Sequence, residues 1–156
     1  MRRALFLSCA IVLAEQSELA AQVDPDPTDL AVAYCLGVHN TWERHTREIC
    51  GAMGAQLCRE AEQWNQDHRR RLAGYLLARG YGQSARMGPG LNGLVLASRR
   101  GEQDSETCMA QVPVQCGHCL SGSADMVACT PACGAQIPAC AQMRRCNNEG
   151  LLRGVP

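Results

Sequence analysis

Apolar residues recur at three- and four-residue steps through two long stretches of the chain. From Leu30 the series runs through Tyr34, Val38, Trp42, His45 and Ile49, one stripe of a helix that faces a core. Thr28 stands before it as the capping residue, with Asp29 in the first turn, and the Gly51–Gly54 turn closes it, so the spacing predicts a helix over about 29–49. A second series, Leu57, Ala61, Trp64, His68, Leu72 and Leu76, predicts a helix over about 55–79 that stops at Gly80. Two helices joined by so short a turn pack antiparallel.

The pattern weakens after Gly80. The stretch GYGQSARMGPGLNG reads as a loop and not as a phosphate cradle, because it follows a helix and no strand leads into it. Leu94, Ala97 and Cys108 give a third helix over about 91–112, weakened by Gly93 and Gly101 and ended by Pro113. Pro131 and Pro138 break the tail, 113–156, into short pieces, and no run of alternating β-branched residues marks a strand. The expected fold is all-α: an antiparallel helical hairpin plus a third helix, with an irregular disulfide-rich C-terminal tail.

The first residues change the picture of where this fold works. Arg2 and Arg3 precede an apolar run from Ala4 to Ala14, and Ala20-Ala21 follows, which is the layout of a secretory signal peptide over 1–21. The run is too short to span a bilayer, and no later run is longer, so the remaining chain, 22–156, is expected to be one cysteine-rich helical domain without a transmembrane segment. Every basic residue is Arg and none is Lys, which points to a GC-rich bacterial genome and to a periplasmic or secreted protein.

Cysteine supplies what the core lacks. The only Phe lies in the leader, and two Trp and three Tyr are the remaining aromatic mass, so the core is thin. With Cys9 lost in the leader, ten cysteines remain: Cys35, Cys50, Cys58, Cys108, Cys116, Cys119, Cys129, Cys133, Cys140 and Cys146. An even number in an oxidising compartment predicts a disulfide framework. Cys50 and Cys58 straddle the hairpin turn and form the favoured pair, and Cys35, with no cysteine opposite it on the second helix, is expected to reach the tail.

Two other chemistries compete for these sulfurs. Cys116-Gly117-His118-Cys119 resembles the active-site dithiol of the disulfide isomerase and thioredoxin-like family, which implies a thiol–disulfide redox protein with Cys116 as nucleophile and Cys119 as resolver. That family leads a strand into the motif and a long helix out of it, whereas Pro113 precedes it here and Gly122 follows. The second chemistry is metal binding: Zn by Cys116, Cys119, Cys129 and Cys133 as two ligand pairs, or Cu(I) by the soft sulfurs of Cys129, Cys133 and Cys140 with Met126 and Met143 nearby. Complete pairing would leave neither chemistry a thiolate, so the disulfide reading leads and no cofactor is expected.

Charge is the last signal. Net charge is zero, yet His68 to Gly101 holds seven arginines and no acid. Arg69, Arg70 and Arg71 are the candidate anion-binding residues of that segment, and the competing reading pairs them with acids of the first helix. The partner this predicts is an anionic envelope component or an acidic protein, and nucleic acid is excluded by compartment. No HExxH, GxSxG or carboxylate pair asks for an enzyme. The expected role is a non-enzymatic binding or envelope-accessory one.

Overall fold

The computed structural model describes residues 24–53, 55–81, 89–120, 129 and 132–147. Residues 1–23, with Cys9 and the expected signal segment, and the centre of the glycine-rich loop lie outside the described residues. Within them the protein is helical and has no strand. α1 (Pro27–Met53), α2 (Ala55–Ala78) and α3 (Pro89–Gln115) are the long helices, followed by α4 (Gly117–Leu120), α5 (Pro138–Met143) and a 3-10 turn, η1 (Arg144–Cys146). α1 is the central element. It packs antiparallel on α2 and, on another face, beside α3, and α5 packs on α3.

α1 starts earlier than the pattern suggests, and the reason is local chemistry. The Asp26 carboxylate accepts the Thr28 and Asp29 backbone N–H groups at 2.7 and 2.9 Å, and the Asp29 side chain reaches back to the Asp26 N–H at 3.0 Å. This reciprocal box makes Asp26 the cap in place of Thr28, with Pro27 in the first helical position, where its missing N–H costs nothing. α2 ends as expected at Gly80, whose φ of 87° is the left-handed geometry that glycine adopts freely. Gly80 N–H bonds the Leu77 carbonyl and Tyr81 N–H the Leu76 carbonyl, closing a Schellman turn.

The core stripe also differs from the expected one. A helix packed on two sides cannot keep a single apolar face, and α1 buries Asp29, Val32, Ala33, Cys35, Val38, His39 and Thr41 around much of its girth. Trp42 and Trp64, placed in the core by the spacing, remain 38% and 40% exposed. On α2 only Asn65 and Leu72 are fully buried.

α3 overturns two expectations. It begins at Pro89 inside the expected loop, and it passes through Pro113 to Gln115. Pro113 lies in the last turn, so it removes one helical hydrogen bond, and the helical bond three residues on, Cys116 N–H to the Val112 carbonyl at 2.8 Å, is made. Gly101 is not a weak point. A Cβ there would lie 3.0 Å from the Tyr34 carbonyl carbon and closer still to its oxygen, and one on Gly37 would lie 2.7 Å from the Ser98 carbonyl carbon. The two helices approach backbone to backbone, which only glycine permits at these two positions.

Five disulfides close the structure: Cys35–Cys146, Cys50–Cys58, Cys108–Cys140, Cys116–Cys133 and Cys119–Cys129. Three of them form concentric rungs between the end of α3 and the returning tail. They surround a small second core of Cys116, Cys119, Ile137 and Cys140. Short helices too brief to be stable alone are held there by covalent bonds. The tail is therefore more ordered, over its described part, than the prolines implied.

Candidate functional site

Each residue singled out by its sequence has a definite place. Cys116 and Cys119 are fully buried and bond to Cys133 and Cys129, not to each other. The four sulfurs proposed as redox or zinc ligands are thus spent in two bridges, Cys140 is spent in its bond to Cys108, and none offers a thiolate for attack or coordination. Cys50 and Cys58 lie beside Glu62, and their sulfurs are likewise joined to each other.

The three arginines separate. Arg69 turns inward onto α1, where it pairs with Glu43 and donates to Asn40 at 2.9 Å. Arg70 pairs with Asp67 one turn back at 3.3 Å. Arg71 is exposed at a cleft of about 490 Å³ whose walls, Trp64, Asp67, His68 and Gly74 among them, all belong to α2. A depression on the outside of one helix encloses little of any ligand. The run of arginines is therefore mostly a helix face tied to its acidic neighbours.

Two buried polar clusters hold α2 on α1, and neither was foreseen. In the first, Asp29 is fully buried and accepts from Arg79 Nε at 3.0 Å, Arg79 Nη2 at 3.1 Å and Tyr81 Oη at 2.8 Å. Burial would raise its carboxyl pKa, but the bonds from Arg79, then Tyr81 and the Asp26 N–H, overcome this and hold it near about 2. Burial and that same bond push the Tyr81 phenol up to about 12. In the second, His39 Nδ1–H donates to Asn65 Oδ1 at 2.8 Å, and Asn65 Nδ2 donates back to the His39 carbonyl at 3.1 Å. The His39 ring stacks on His68. Burial pushes its pKa below the usual 6.5 against the pull of Asn65. A polar contact of this kind leaves no periodic signal, which is why the spacing pointed to His45 and His68 instead.

A groove on the opposite side has the features of a binding site. It holds about 660 Å³ between α1, α3 and the tail, and its base includes Cys35, whose bridge to Cys146 anchors η1 there. At one end its walls are apolar: Leu30, Ala31, Gly93, Leu96 and Ala97. At the other end Tyr34 from α1, Arg100 and Asp104 from α3 and Arg145 from η1 converge. Tyr34 Oη donates to Asp104 at 2.9 Å. Burial and Asp104 raise the Tyr34 pKa, and the positive charges of Arg100 and Arg145 act against that rise. Both arginines thus stand close enough to be felt at one phenol, and neither forms an ion pair with an acid among the described residues. Two guanidinium groups against one carboxylate leave this end positive.

Sequence reasoning placed Arg100 in the basic segment without distinguishing it and passed over Arg145. The only signal available was the pair Cys35 and Cys146, which carries Arg145 to the groove. Among the described residues no helix is long and apolar enough to cross a membrane. The chain matches no protein-family model, no curated protein and no solved structure.

Proposed function

We propose that this is an exported, non-enzymatic protein that binds an anionic component of the cell envelope in the groove between α1, α3 and the tail. The observation that carries it is the convergence of Arg100 and Arg145, from distant parts of the chain, on the rim of a half-apolar groove. Surface arginines normally find carboxylates or water. Two of them held together without a pairing acid, one on a disulfide-anchored turn, make a preset receptor for phosphate or carboxylate. Arg69 and Arg70, committed to Glu43 and Asp67, are replaced by this pair as the anion-binding residues. Five bridges suit a periplasmic or secreted setting, where no reductant opens them.

Retention on vesicles with and without anionic headgroups tests this reading, using the oxidised protein. Arg100→Ala with Arg145→Ala should abolish most of the retention on anionic vesicles, and the remaining binding should lose its salt dependence. Arg70→Ala with Arg71→Ala should change it little. Equal retention of all three proteins would remove the groove from consideration.

A further inference from the structure

The two ends of the groove differ in chemistry, and that difference specifies more than an anion. From Gly93 to Arg100 is seven residues of α3, about 10 Å along the helix axis. Along this distance the wall changes from Gly93, Leu96 and Ala97 to Arg100 and then Asp104. α1 runs beside α3 in the same direction and changes in the same sense, from Leu30 to Tyr34. Leu96 is 64% exposed, an apolar side chain left on the rim where it meets water. A volume of about 660 Å³ falls within the roughly 300–1,000 Å³ of sites that enclose small organic ligands. A bare inorganic anion would leave most of the groove unfilled and Leu96 uncovered. A neutral hydrocarbon would leave two guanidinium groups with one carboxylate, Asp104, between them.

We infer that the groove takes a single-chain anionic amphiphile, with its phosphate or carboxylate head between Arg100 and Arg145 and its hydrocarbon chain laid along Leu30, Gly93, Leu96 and Ala97. This rests on the reading of the groove as an anion site and adds the acyl chain to it. The glycine at position 93 has a second use here. A Cβ at that position would meet the Leu30 and Pro25 side chains only at 3.6 Å, an ordinary contact, so close packing does not require a glycine, and its absent side chain leaves the channel open. The head site depends on the Cys35–Cys146 bond, because Arg145 immediately precedes Cys146.

The test is calorimetric titration of the oxidised protein with decyl phosphate below its micelle concentration, inorganic phosphate and decanol. Decyl phosphate should bind with one site per chain, at least about 100-fold more tightly than inorganic phosphate, since each fully buried methylene contributes roughly a fourfold gain and about three or four of them already supply that factor in this open groove. Arg100→Ala with Arg145→Ala should weaken decyl phosphate at least about tenfold and leave decanol unchanged. Gly93→Leu, which puts a side chain into the channel, should weaken decyl phosphate and leave inorganic phosphate unchanged. Circular dichroism of both variants checks that they fold, since Arg100 and Arg145 are exposed and Gly93 is half-buried. Inorganic phosphate binding as tightly as decyl phosphate would overturn the amphiphile and leave the anion site standing. Decanol binding as tightly as decyl phosphate, indifferent to the arginines, would overturn both, and so would an absence of heat with every ligand.

Discussion

The two flanks of α1 are held by opposite means. On the α2 side the contact is polar and exact in its partners: Asp29 with Arg79 and Tyr81, His39 with Asn65, Glu43 with Arg69, and the Cys50–Cys58 bridge at the turn. On the α3 side shape sets the closest approach, with Gly37 and Gly101 letting backbones touch where any side chain would part them, and the polar ties, Tyr34 with Asp104 and Arg44 with Glu106, are fewer. A polar flank can lose strength by titration, one proton at a time. A shape-dependent flank is insensitive to pH and intolerant of a single added carbon. The groove lies beside the second kind, so its geometry is sensitive to packing, and the hydrogen bond from Tyr34 to Asp104 also ties α1 to α3 inside it.

Substitutions should break this comparison in a graded order. Gly101→Val sets two methyl groups against the Tyr34 backbone and should cost about 4 kcal/mol or prevent folding, as read from urea unfolding. Gly74, inside α2 with nothing within 4 Å of a Cβ, provides the control. A similar cost at both glycines would mean that helix propensity, and not close approach, sets the effect. Asp29→Ala opens the capping box, takes the carboxylate from Tyr81 and leaves Arg79 with Asp26 alone, so a loss of about 3 kcal/mol is expected.

The pH dependence is smaller and sharper in meaning. Asp29 has a folded pKa near about 2 against an ordinary 3.8, so its stabilisation is complete above 3.8 and drains away as pH falls toward 2. Asp29→Asn should therefore flatten stability against pH in that window. His39 is depressed from 6.5, so the unfolded chain takes up the proton first and stability falls as pH drops through 6.5. His39→Gln should remove that slope while the α1–α3 contact keeps its strength. A wild-type protein equally stable at neutral pH and at about pH 5 would show that His39 does not report on this interface. The smallest effect is a gain: Gly74→Ala should add about 1 kcal/mol in thermal melts, because an open helical position has only the glycine entropy to recover.

What the chain reveals before its structure follows the same division. Helix existence, the Gly80 stop and the count of cysteines are written in local residue types, and each was readable. The Asp26 cap was missed because Thr28 is also a good cap, and only the backbone shows which side chain meets the N–H groups. Gly37 and Gly101 read as liabilities because propensity sees one helix, while their role needs the second. The groove is the hardest case. Tyr34, Arg100 and Arg145 are unremarkable in sequence and acquire meaning once Cys146 returns to Cys35 across 111 residues.

The five bonds are also nested, with no bond crossing another: Cys119–Cys129 within Cys116–Cys133 within Cys108–Cys140, and the whole ladder together with Cys50–Cys58 within Cys35–Cys146. A chain oxidised as it emerges from a ribosome or a translocation channel meets its cysteines in the reverse spirit, first out and first paired. Pairing from Cys35 onward in that order would join Cys35 to Cys50, Cys58 to Cys108, Cys116 to Cys119, Cys129 to Cys133 and Cys140 to Cys146, and none of these five is a native bond. Correct closure must hold Cys35 open until the last cysteine arrives and close the ladder from Cys119–Cys129 outward, or be reached by reshuffling. The CGHC motif that looks like an enzyme's dithiol is, in that order of pairing, a bond between neighbours that must open before Cys116 can reach Cys133 and Cys119 can reach Cys129.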